Sequence, residues 1–97
     1  MLTGKQKRFL RALGSEMDPI IQVGKGGISE NLIIQLDEAL EARELVKLRV
    51  LKNCLEERSD VAEELSEATD SEVVQKIGHN ILFYRKSVEQ PRIELPK

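Results

Sequence analysis

Gly24-Lys25-Gly26-Gly27 separates a short β-branched run, Pro19-Ile20-Ile21-Gln22-Val23, from an amphipathic stretch that opens at Ile28-Ser29. A strand that breaks into glycines and restarts as a helix presents unpaired backbone N–H groups at a positively polarised helix end, which suits an anion such as a phosphate. Glycine also permits positive φ and close approach of a ligand to the main chain, and Lys25 adds a mobile cation at the tip. Function is expected here. The junction is not a P-loop, since G-x-x-x-x-G-K-[ST] is absent, and G-x-G-x-x-G fails because no glycine follows Gly27 at the required spacing.

The spacing of apolar residues places the other elements. Thr3-Gly4-Lys5-Gln6 matches a capping box, so a first helix runs to about Leu13 and stops at Gly14, with Phe9, Leu10 and Leu13 inward. Lys7 and Arg11 lie four apart, and Lys5 and Arg8 three apart, which makes a basic stripe along this helix. Pro19 to Val23 reads as a strand. Ser29 caps a second helix from about Glu30 to Ala42, with Leu32, Ile33, Leu36, Ala39 and Leu40 inward and Asp37, Glu38 and Glu41 wet. Leu45 to Leu51 alternates as a strand, setting Val46, Leu48 and Val50 against Lys47 and Arg49.

Ser59 caps a third helix of about Asp60 to Ala68, with Val61, Ala62, Leu65 and Ala68 inward and Asp60, Glu63, Glu64 and Glu67 outward. Val73 to Ile77 and Ile81 to Arg85 form a hairpin across Gly78-His79-Asn80. The order predicts an α/β domain, α-β-α-β-α-β-β, in two or three layers on a four-stranded mixed sheet with one parallel βαβ unit. From Ser87 onward the chain reads as a tail, frayed or pinned only locally.

At 97 residues there is room for one modest core. The net charge of −2 argues against a nucleic-acid partner until its distribution is considered. Residues 1–28 carry +3, 29–42 carry −4, 43–58 carry +2, 59–72 carry −6 and 73–88 carry +3. Blocks of alternating sign that follow the elements give one molecule a basic face and an acidic face. Phe9, Phe83 and Tyr84 are its only aromatic residues, too few for a broad base-stacking platform, so a nucleic acid would be gripped by its backbone.

A single cysteine, Cys54, and a single histidine, His79, provide neither an internal disulfide nor a structural zinc cluster. His79 reads as a turn residue, and without paired carboxylates in a pocket pattern no enzyme, cofactor or metal is expected. The N-terminus lacks the apolar core of a signal peptide and no run approaches a membrane span, which places the expected protein, a monomer, in a reducing cytoplasm.

Four stretches together resemble the CRM family, also called the YhbY family, of small RNA-binding domains. They are Leu2-Thr3-Gly4-Lys5-Gln6 with Leu10-Arg11-Ala12-Leu13, Ile21 to Ser29, Leu45-Val46-Lys47, and Val74-Gln75-Lys76-Ile77-Gly78 running into Leu82-Phe83-Tyr84-Arg85. The resemblance covers residues 1–86 and leaves 87–97 as a tail. It implies a fold similar to the C-terminal domain of bacterial translation initiation factor three, with a G-x-x-G loop like that of KH domains. It further implies a stand-alone bacterial member that associates with precursor large ribosomal subunits and assists their maturation; plant relatives act in organellar intron splicing. The family's RNA-contacting loop falls on Gly24, Lys25, Gly26 and Gly27, and its basic helix positions on Lys5, Lys7, Arg8 and Arg11. Lys47 and Arg49 are expected to hold neighbouring phosphates of ribosomal RNA. Glu30, just inside the second helix, opposes a phosphate there. The competing expectation is a protein-interaction module whose acidic third helix docks a basic ribosomal protein.

Overall fold

Alternation along the central strand divides the interior in two. The computed structural model describes residues 1–97, with elements in the order α1 (Gly4–Gly14), β1 (Ile21–Val23), α2 (Glu30–Arg43), β2 (Leu45–Val50), α3 (Arg58–Thr69), β3 (Glu72–Ile77) and β4 (Asn80–Tyr84). The strands make one mixed sheet in the order β1-β2-β4-β3, in which β1 and β2 are parallel and the other pairs antiparallel. This is the expected α-β-α-β-α-β-β fold. Val46, Leu48 and Val50 of β2 join Ile21, Val23, Ile81 and Phe83 under α2 and α3 in a cluster of 13 buried residues. On the opposite face Leu45, Leu82 and Tyr84 meet Leu10 of α1, together with Val74, the extra residue of a β3 bulge. Helices therefore cover both faces.

Both halves of the α1 capping box form: the Gln6 amide donates to Thr3 Oγ1 at 3.1 Å and the Thr3 amide to Gln6 Oε1 at 3.0 Å. The buried side is Leu10 and Gly14, whereas Phe9 and Leu13, expected inward, are 37% and 40% exposed. Gly14 explains the rotation. A Cβ there would stand 2.5 Å from Leu82 Cδ2, so the bare glycine lets the helix end rest directly on the sheet.

The third helix begins two residues earlier than expected. Its N-cap is Glu57, with no side-chain capping bond, and Ser59 lies inside the first turn. Ala68 is exposed; Thr69 is buried in its place, its hydroxyl donating to the Leu65 carbonyl at 2.8 Å. The hairpin turn is two residues, Gly78-His79, with Gly78 at φ +58° as such turns require.

Rather than fraying, the C-terminal segment is held by two carboxylates. A single residue, Glu44 at φ +67°, joins α2 to β2, and its fully buried carboxylate accepts from the Ser87, Arg92 and Ile93 amides at 2.8, 2.6 and 2.7 Å. Glu41, expected on the wet side of α2, accepts from the Ser87 hydroxyl and the Val88 and Glu89 amides. Beyond them Ile93 and Leu95 pack on the α1 cluster, and Gln6 Nε2 donates to the Pro96 carbonyl. Burial pushes the Glu44 carboxyl up, but the three amides and Lys86 outweigh it and hold the group below its ordinary value. No helix is long and apolar enough to cross a membrane.

Candidate functional site

Three connections meet at one end of the sheet: residues 24–29 after β1, residues 51–57 after β2, and the Gly78-His79 turn. The Leu51 amide donates to the Val23 carbonyl at 2.8 Å and the Val50 amide to the His79 carbonyl at 2.7 Å. Arg58 donates to the Gly78 carbonyl, which ties α3 to the hairpin.

The glycine segment is a tight turn closed by the Gly27 amide donating to the Gly24 carbonyl at 3.0 Å. Of the three glycines, only Gly27 has a positive φ, +66°; Gly24 and Gly26, also read as candidates for that freedom, do not use it. A Cβ on Gly26 would meet nothing within 4 Å, and Lys25 and Gly26 are exposed, so the tip opens to solvent. Neither the Lys25 nor the Gly26 amide has an acceptor within the protein. On the inner side, Glu56 Oε1 accepts from the Ile28 amide at 3.2 Å and stands 2.5 Å from where a Gly27 Cβ would be. Ser29 caps α2 by accepting from the Leu32 amide at 3.2 Å, and Glu30 in the first turn is exposed.

Lys47 and Arg49 leave β2 on the face that α1 covers, opposite Val46, Leu48 and Val50. They differ in availability. Lys47 is half-buried and its Nζ donates to the Met17 carbonyl at 2.9 Å, tying down the α1–β1 connection. Arg49 is exposed and pairs across the ladder with Gln22, two residues before Gly24.

On α1, Lys7 and Arg11 are half-buried beside Leu10, and Arg8 and Lys5 follow them outward around the helix. Gln6, on the other side of Leu10, faces the C-terminal segment. That segment is anchored at Glu44, at the end of the sheet away from the glycine turn, and Lys7 and Arg11 lie on the flank of α1 opposite the one that Gln6 turns to it. Lys5 is the exception in position. It lies in the first turn, near where the Leu2 amide bonds Glu72, about 17 Å of strand from Ile77. The acidic residues of α3, Asp60, Glu63, Glu64 and Glu67, are all exposed on the opposite side of the sheet.

Glu56 escaped the sequence-based expectations, as a lone acid in a polar connection carries no periodic signal. Arg85, one of the three bases behind the positive balance of residues 73–88, is engaged with Asp37 and with the Thr69 carbonyl.

A four-stranded mixed sheet with helices on both faces, and an open glycine turn between its parallel strand and the crossover helix, defines a class of small α/β domain. The model of the CRS1 / YhbY (CRM) domain matches residues 2–85. The chain belongs to this family. It is 56% identical over 96 residues to the "Probable RNA-binding protein YqeI" of Bacillus subtilis, covering 99% of this chain and 100% of that one. It is 32% identical over 96 residues to an "RNA-binding protein" of Haemophilus influenzae, covering 99% and 96%. The solution structure of the hypothetical protein SAV1595 from Staphylococcus aureus superposes with a TM-score of 0.82 at 58% identity, covering 99% of this chain and 100% of that one.

Proposed function

We propose that this protein binds RNA, associates with precursor large ribosomal subunits and assists their maturation, with no catalytic step of its own. The observation that carries this is the open turn at Lys25-Gly26, whose amides have no acceptor in the protein, next to a sheet face bearing Arg49 and the basic flank of α1. Main-chain amides at Lys25 and Gly26, at the tip of the turn that Gly24 and Gly27 close, grip one or two phosphates, and Arg8, Arg11 and Arg49 hold neighbouring ones. Lys47 contributes less because its Nζ already donates to the Met17 carbonyl, Lys7 reaches phosphate, like Arg11, from a half-buried position, and Lys5 reaches only RNA that runs the length of α1. Structured RNA is then recognised mainly by shape. The relatives' names support the RNA partner, and the overall charge segregation supports the choice of face.

Co-sedimentation with ribosomal particles across a salt series tests the proposal, comparing the wild type with a Lys25, Arg8, Arg11 triple alanine variant. Expected is comigration with precursor large subunits that the variant loses; equal comigration of both proteins would overturn it. A competing reading, in which the exposed acids of α3 dock a basic ribosomal protein, predicts loss on neutralising Glu63, Glu64 and Glu67 instead.

A further inference from the structure

The ladder registers align one residue from each strand into a transverse row on the face that carries α1: Gln22 of β1 pairs with Arg49 of β2, Arg49 with Asn80 of β4, and Asn80 with Ile77 of β3. Neighbours in a ladder project to the same side, so the four side chains lie edge to edge across the whole sheet. Further down the same face Leu45, Leu82 and Tyr84 are buried by α1 and the C-terminal segment, but this row is left open. Gln22 and Arg49 are exposed and Ile77 is 59% exposed. The row also contains Asn80 Oδ1, the one buried side-chain polar atom without a hydrogen-bond partner. An acceptor left without a donor is a cost, and Asn80 relieves it by turning its amide out toward a bound donor.

We infer that this row reads unpaired bases of an RNA strand that runs from the glycine turn onto the sheet. The inference rests on the phosphate grip proposed above and adds selectivity to it. Gln22 lies two residues before Gly24, so a strand held by its phosphates at the turn has its next bases over Gln22 and Arg49. The chemistry suits base edges. Gln22 and Asn80 carry amides that both donate and accept, the Arg49 guanidinium donates or stacks on a base plane, and Ile77 offers an apolar seat without an aromatic ring. Any unpaired base can supply the donor that Asn80 lacks, adenine, cytosine and guanine through an exocyclic amino group and uracil through N3–H, whereas in a duplex those donors are spent on the opposite strand. The occupant is a nucleic acid rather than a protein edge because the row's one charge is Arg49 and α1, packed on the same face of the sheet, carries Lys7, Arg8 and Arg11 and no acid.

The test is fluorescence anisotropy with labelled oligoadenylate, oligocytidylate and oligouridylate of roughly 12 nucleotides and with a blunt RNA duplex. Expected is binding of the three single strands at least about fivefold tighter than of the duplex, in keeping with one good base contact. Gln22→Ala, at an exposed position, should narrow that ratio alone, and Gln22→Ala with Asn80→Ala should bring it within about twofold while the salt dependence on the duplex stays unchanged. A wild-type ratio near one, or a ratio that survives both substitutions, would overturn the inference. Binding of all four RNAs without salt dependence would instead mark failure of the phosphate grip itself.

Discussion

The Glu56 carboxylate accepts a hydrogen bond from the Ile28 amide at 3.2 Å, so an anion of the protein's own lies on the inner side of the turn proposed to hold phosphate. It anchors the loop and opposes the ligand at the same time. Glu56→Gln keeps the acceptor oxygen and removes the charge. One unit of charge about 6 Å from a phosphate in water is worth about 0.7 kcal/mol, so RNA should bind roughly threefold tighter with the melting temperature little changed. Glu56→Ala loses the anchor too and should cost about 1 kcal/mol of stability. Paired thermal melts and gel shifts of both variants separate the two roles.

Gly27 and Gly26 should respond in opposite ways to substitution. At φ +66°, with Glu56 Oε1 2.5 Å from its would-be Cβ, Gly27 cannot take a side chain without backbone strain and displacement of Glu56. Gly27→Val should cost roughly 2 kcal/mol, leave the domain folded by circular dichroism, and reduce RNA affinity at least tenfold. Gly26→Ala, with open space around it and no positive φ, should change stability by less than about 0.5 kcal/mol. Comparable losses in the two variants would show that the turn's conformation is not what the ligand needs.

Salt dependence distinguishes bases that meet phosphate from bases that brace the fold. If about four phosphates are neutralised, log K falls against log salt with a slope near −3, and Lys25→Ala should reduce its magnitude by about 0.7. Lys47→Ala should change the slope less, since its Nζ is already spent on the Met17 carbonyl, and should lower stability by about 1 kcal/mol instead. Titrations at several ionic strengths decide between the two roles for each residue.

Local signals disclosed the elements; what they left hidden depends on contacts distant in sequence. The capping box at Thr3 and Gln6, the cap at Ser29 and the alternation of β2 all lie within a few residues of what they specify, and each forms. Phe9 and Leu13 belong on the apolar side of α1 by periodicity, but the close seat of Gly14 on Leu82, 68 residues along the chain, rotates the helix. Ser59 has the right chemistry for a cap, yet α3 extends back past it to Arg58, whose guanidinium bonds the Gly78 carbonyl. The glycine turn could be read as an open backbone site, but not its partner Glu56, 28 residues away. Nor could the row from Gln22 to Ile77, which exists only once the strand order and register are set.

Acid should release the C-terminal segment before it unfolds the sheet. Glu41 and Glu44 both sit below the ordinary value of 4.5 in the folded protein: Glu41 through the Ser87 hydroxyl and the Val88 and Glu89 amides, Glu44 because its amide bonds outweigh the burial that pushes it up. A carboxyl that binds its proton more weakly when folded stabilises the fold fully above its unfolded value, and that contribution is lost as pH falls through the folded one. The window therefore opens below pH 4.5, in the acid direction, and nothing from these two groups changes near neutrality. Hydrogen exchange by NMR should show the Ser87, Arg92 and Ile93 amides losing protection as the pH drops below that value, while amides of β2 and β4 stay protected. Glu44→Ala, which leaves those three donors without their acceptor, should expose the same amides at pH 7 at a cost on the order of 3 kcal/mol. Protection lost simultaneously across the segment and the central strands would mean that the two carboxylates hold the whole domain rather than its last residues.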